Sequence, residues 1–157
     1  MKVAFIGHRK IEKTEILTER IAQTVKHLIV DEGVDTFLFG SRSAFNDICY
    51  EAVTRLKEIY THIRRVYVRA EYEYISQDYH DYLLTFYEAT YYADQARGAG
   101  YRAYIKRNQE MIDKCDILVV YCDMDYQPTT RTKSGTITAL LYAQKKKKRI
   151  INLCGSA

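Results

Sequence analysis

Apolar residues recur along this chain in two alternating rhythms: short unbroken runs, and longer stretches with three- and four-residue spacing. Val3 to Ile6 is an unbroken run closed by Gly7, and Leu17, Ile21, Val25 and Leu28 then mark one face of a helix. Gly33 suits that helix's C-terminal cap, and Thr36 to Phe39 forms a second run that stops at Gly40. Ser43 suits the N-cap of a second helix with Phe45, Ile48, Cys49, Ala52, Val53, Leu56 and Ile59 on its apolar face, and Val66 to Val68 supplies a third strand. Ser76 to Tyr92 carries Tyr79, Tyr82, Leu83, Phe86 and Tyr87 at helical spacing before Gly98 and Gly100 break the pattern, which predicts one helix and a loop. A further helix places Tyr101, Tyr104, Ile105, Asn108, Met111, Ile112 and Cys115 on one side and feeds the fourth strand, Ile117 to Tyr121. Asp123 to Lys133 reads as an exposed loop, Ser134-Gly135-Thr136 opens a helix bearing Ile137, Leu140, Leu141 and Ala143, and Ile150 to Leu153 is the final strand.

Strands alternating with helices favour parallel pairing through right-handed crossovers. The expected fold class is therefore α/β, a Rossmann-like three-layer sandwich with a mainly parallel five-stranded sheet in the order 3-2-1-4-5. With 157 residues the expectation is a single domain, 1–157. The start MKVAFIGHRK enters an apolar run too brief for a signal peptide or a bilayer span, so no membrane association and a cytoplasmic address are expected.

In this topology the loops after strands one, two and four meet where the order of strands reverses, the place where open α/β sheets bind ligands. Those loops carry Gly7, His8 and Arg9; Gly40, Ser41, Arg42 and Ser43, with Asn46 one turn into the helix; and Ser134, Gly135 and Thr136. Small residues let a backbone approach a ligand, free amides at a helix start favour an anion, and arginines offer forked contacts to phosphate. The candidate chemistry is a phosphate cradle, with Ser134-Gly135-Thr136 its strongest single element. Neither G-x-G-x-x-G nor G-x-x-x-x-G-K-[ST] occurs. A net charge of +4 permits an anionic ligand but falls short of the basic footprint of a dedicated nucleic-acid binder.

Three stretches in order resemble the SLOG superfamily, most closely its YpsA-like members: Phe5-Ile6-Gly7-His8-Arg9, Arg107 to Asp116 beginning Arg-Asn-Gln-Glu-Met, and Ser134-Gly135-Thr136 with Ala139, Tyr142 and Ala143. The resemblance implies a nucleotide or nucleotide-derived ligand, of ADP-ribose or nucleoside-monophosphate type, over the carboxyl edge of the sheet. It adds Arg107 and Asn108 as candidates for a ligand contact, a subunit interface or a buried polar network. Related LOG phosphoribohydrolases use P-G-G-x-G-T-x-x-E. On that alignment Arg131, Thr132 and Lys133 replace the upstream residues, and Ala139 stands where the glutamate would, a side chain that cannot handle a proton. A binding or sensing module is the first expectation. Hydrolysis with Glu71, Asp123 or His8 as replacement acid or base is the second, and nucleic-acid binding in the manner of the related DprA domain the third.

No resident cofactor and no metal site are read. His27, His62 and His80 stand singly, and Cys49, Cys115, Cys122 and Cys154 show no C-x-x-C spacing and read as reduced core thiols. The tyrosines Tyr72, Tyr74, Tyr79, Tyr82, Tyr87, Tyr91 and Tyr92 can stack a base or pack an interface; packing, with a homodimer as the expected oligomer, is the reading taken. Lys145 to Arg149 falls at a helix C-terminus, where lysines normally extend into water.

Overall fold

A computed structural model describes residues 1–125 and 134–155. Along them run β1 (Lys2–Gly7), α1 (Glu15–Val30), β2 (Thr36–Phe39), α2 (Ala44–Lys57), β3 (Arg64–Arg69), α3 (Gln77–Leu83), β4 (Ala89–Tyr92), α4 (Ala103–Lys114), β5 (Ile117–Tyr121), α5 (Gly135–Lys145) and β6 (Arg149–Asn152). The strands form one sheet in the order β4-β3-β2-β1-β5-β6, every pair parallel.

β1 is buried on both faces, and its alternation divides the core. Val3 and Phe5 pack with Leu17, Ile21, Val25, Phe45 and Cys49 of α1 and α2, while Ala4 and Ile6 pack with Met111, Ile112, Ala139 and Leu140 of α4 and α5. Side chains start the helices, as expected for Ser43 and Ser134. Thr14, Ser43, Ser76 and Ser134 each accept a backbone N–H from three residues on.

The sheet corrects the expected strand count and order. Among the described residues six strands are present, because the helix ends at Leu83 and residues 89–92, expected as helix or loop, pair outside β3. Glu88 fixes that turn: its amide donates to Arg65 O at 2.8 Å, and its carboxylate takes the Arg65 amide at 2.9 Å and the guanidinium at 3.0 and 2.7 Å. β-Branched and aromatic residues at 90–92 then suit a strand better than another helical turn.

Three expected helix faces also shift. Ile59 lies beyond the end of α2 and is exposed, and Leu141 faces outward from α5. Tyr101 is 94% exposed in a 3-10 turn ahead of α4, and Tyr104 is half exposed. Met111 and Ile112 are buried as expected, and Arg107 and Glu110 complete the buried face of α4. Two charged residues are admitted to it because each meets main chain: Arg107 donates to Gly40 O at 2.6 Å, and Glu110 accepts the Gln95 amide at 2.9 Å.

The basic run is likewise used rather than merely solvated. Lys148 Nζ donates to the Asp113 and Cys115 carbonyls at the end of α4, and Arg149 pairs with Glu32. Cys49, Cys115 and Cys122 are buried free thiols, but Cys154 is only half-buried and not a core residue. Among the described residues no helix is long and apolar enough to cross a membrane.

Candidate functional site

Because every strand is parallel, all carboxyl ends lie along one edge of the sheet, and the chain reverses its direction of growth between β1 and β5. The loops after β2, β1 and β5 leave that edge side by side. Their contents differ in how much room the protein's own contacts leave.

The crevice between β1 and β5 is bridged by His8. Its amide donates to Tyr121 O at 3.3 Å, and its buried ring accepts the Asp123 amide at Nε2 at 2.8 Å. Accepting there requires the neutral tautomer protonated on Nδ1. Burial, opposed by the Asp123 charge, holds the His8 pKa below its usual 6.5. The ring thus ties two loops together, and the nitrogen a base would use is occupied. The Asp123 carboxylate is exposed and accepts the Asp125 amide at 2.9 Å.

Gly7 and Gly40 have packing reasons to be glycine. A Cβ on Gly7 would lie 2.4 Å from two ring carbons of Phe45, and one on Gly40 would lie 2.6 Å from Met111 Sδ and 2.9 Å from Arg107 Nε. At Gly135, by contrast, nothing among the described residues lies within 4 Å of that position. Ser134 Oγ accepts the Ile137 amide at 3.3 Å, and Thr136 is buried. Arg131, Thr132 and Lys133, with the rest of residues 126–133 from the expected loop, lie outside the described residues. Ala139 is fully packed in the core, so its position offers no room for a replacement carboxylate.

At the start of α2 the backbone amides are largely taken. Ala44 N donates to Arg9 O at 2.9 Å, Asn46 N to Ser43 Oγ at 3.1 Å and Asp47 N to Ser43 O at 3.0 Å. What faces outward is side-chain chemistry: the exposed Arg9 and Arg42, half-buried Ser41, and buried Asn46, whose Nδ2 donates to Ser41 Oγ at 3.0 Å and Ser43 Oγ at 3.1 Å while its Oδ1 has no partner.

Behind Gly40 lies Arg107, 4% exposed. Its Nη1 donates to Gly40 O, its Nε donates to Asn108 Oδ1 at 3.3 Å, and the guanidinium sits 5.3 Å from the centre of the Tyr104 ring. No carboxylate among the described residues is within ion-pair reach, and burial lowers its pKa. These contacts join it to Asn108 and Gly40 in a buried polar network at the end of β2.

Glu71 lies on the same side, accepting Tyr104 OH at 2.7 Å and acting electrostatically on Arg42, Arg107 and Tyr67. Glu71 and Asp123 follow β3 and β5, which stand three strand spacings apart, roughly 14 Å. The two candidate carboxylates thus belong to different clusters.

A cavity of about 190 Å³ is lined by Ser41, Arg42, Asn46 and Tyr50 at the start of α2 together with Tyr67 and Tyr87. Tyr50 and Tyr67 were not among the sequence candidates; the tyrosine-rich stretch was the available signal, read as packing. A larger, open hollow of about 1010 Å³ runs along the outer face of α1, walled by residues such as Lys13, Gln23 and Arg55. None of its lining residues is buried or belongs to a strand, so the smaller cavity is the better candidate. No group of three or more His, Cys, Asp or Glu among the described residues is placed to hold a metal ion.

No protein-family model matches the chain, and no curated protein matches it. The fold itself defines the class: an α/β protein with a six-stranded, wholly parallel Rossmann-like sheet.

Proposed function

We propose that this protein binds a nucleotide or nucleotide-derived phosphate ligand, of ADP-ribose or nucleoside-phosphate type, at the carboxyl edge of its sheet, as a binding or sensing module. The carrying observation is Arg107. A guanidinium withdrawn from water with no ion-paired carboxylate is costly, and an anion above Gly40 would supply the missing charge. Arg42 adds a second positive group, beside the carboxylates of Glu71 and Asp47. The resemblance to YpsA-like members of the SLOG superfamily points to the same ligand class.

Binding rather than hydrolysis is favoured because Ala139 is core and Glu71 and Asp123 are rooted three strands apart. The role of Lys148 and Arg149 in tying helix ends and Glu32 argues against a nucleic-acid face there.

Thermal unfolding of the full chain with AMP, ADP, ADP-ribose and pyrophosphate tests the reading. A ligand at one hundred times its Kd adds about 2.7 kcal/mol, which raises Tm by roughly 5–11 °C for a chain of this size. The shift should vanish in Arg107→Met. The absence of a saturable shift with every probe overturns the reading.

A further inference from the structure

We propose that the aromatic cavity beside α2 seats the base of this ligand, with the Asn46 side-chain amide reading the base edge. The inference rests on the reading above and narrows it from a phosphate compound to one that carries a planar ring.

Three observations carry it. The first is a ready-made wall: the Tyr67 and Tyr87 rings stack at 5.2 Å and 21°, and Tyr50 leans on Tyr87 at 5.3 Å. Rings that brace one another offer a flat apolar face with little ordering left to do when a base arrives. The second is size. About 190 Å³ is below the roughly 300–1,000 Å³ of sites that enclose a whole drug-sized molecule. The cavity takes one ring system, while sugar and phosphate stay outside at Arg42.

The third is Asn46. It is 3% exposed, it lines the cavity, and its Oδ1 is buried without a hydrogen-bond partner. Turning the amide over does not remove the defect. The Ser41 and Ser43 hydroxyls serve either the NH₂ or the carbonyl, and the opposite end is left empty. Buried polar groups are nearly always paired. A base edge, which places donors and acceptors side by side in a plane, completes this one when the Asn46 side chain turns to bring Oδ1, which water does not reach, to the cavity wall.

The test compares ligands that differ only in the base or nucleoside. AMP is titrated against ribose 5-phosphate, and ADP against pyrophosphate, by calorimetry on the full chain. One base stacked on an aromatic side chain is worth about 5- to 150-fold in affinity, so each nucleotide should bind tighter than its base-free counterpart by that factor. Tyr67→Leu should remove most of the advantage while leaving pyrophosphate affinity within about twofold. Asn46→Asp, which keeps the side-chain shape but offers acceptors only, should change the preference between AMP and inosine monophosphate.

If ribose 5-phosphate and pyrophosphate bind as tightly as the nucleotides, the inference fails and the phosphate reading stands. If none of the four binds, both fail. Tyrosine emission supplies a readout independent of stability, since the chain has 15 tyrosines and no tryptophan. AMP should quench it and ribose 5-phosphate should not; equal responses would also overturn the base assignment.

Discussion

Replacing Gly7 by alanine separates the two physical reasons for a glycine at the end of β1. The new methyl would stand 2.4 Å from Phe45 Cδ2 and Cγ and 2.5 Å from its Cβ, where ordinary contact begins near 3.4 Å. Phe45 must recoil by about 1 Å, and it has nowhere to go. It is fully buried, with its ring 6.5 Å from that of Phe5 and 5.9 Å from that of Tyr121. Gly7 does not have a positive φ, so the cost is steric rather than conformational. Overpacking of this kind costs about 3 kcal/mol, or roughly 6–12 °C in Tm. Urea unfolding followed by circular dichroism should show a lower midpoint with an unchanged slope. The double variant Gly7→Ala/Phe45→Leu should recover about 1 kcal/mol or more relative to additivity. A loss below about 0.5 kcal/mol, or strict additivity, would refute packing as the reason for Gly7 and return it to the phosphate cradle.

Gly135 is the opposite case. With no described residue within 4 Å of its Cβ position at the first turn of α5, Gly135→Ala should raise stability by up to about 1 kcal/mol, and if a ligand approaches that backbone its affinity should fall at the same time. Lys147 has φ +57° at the end of α5, where the Lys148 amide donates to Ala143 O and its own amide to Gln144 O; Lys147→Gly should gain about 0.5–1 kcal/mol in thermal unfolding, and a loss would contradict the strained cap. His8 makes stability depend on pH. Its native pKa lies below 6.5, so between that lower value and 6.5 the unfolded chain binds the extra proton, and the stability present above 6.5 is lost on acidification. Urea midpoints should fall from pH 7.5 to 5.5 and the slope should flatten in His8→Gln; an unchanged slope would exclude His8 as its source.

The sequence discloses most where a residue's surroundings repeat along the chain, and least where they come from distant segments. Val3 to Ile6 and Ile117 to Val120 are continuous apolar runs, and a strand buried on both faces needs no more signal than that. β4 is hidden because Tyr79, Tyr82, Leu83, Phe86 and Tyr87 continue a helical rhythm past Leu83, while the turn that ends it depends on Arg65. The face of α4 was turned because Arg107 and Glu110 look solvent-facing until Gly40 O and the Gln95 amide are known.

The same holds for the candidate site. Gly7 and Gly40 stood out, yet the atoms that require them belong to Phe45, Met111 and Arg107. Ser41, Arg42 and Asn46 were legible from a small-residue turn before a helix. Of the cavity's tyrosines, Tyr82 and Tyr87 were legible in a cluster and Tyr50 and Tyr67 were not, since which rings face Asn46 depends on how β3 and α3 sit against α2.

The most direct measurement is a nitrogen-15 NMR titration of the full chain with ADP. The largest saturating shifts should fall on the amides of Ser41, Arg42 and Asn46 and on the segment from Arg69 to Glu71. Shifts confined to the outer face of α1 or to Lys145–Arg149, or no shifts at millimolar ADP, would contradict a ligand site over the ends of β2 and β3.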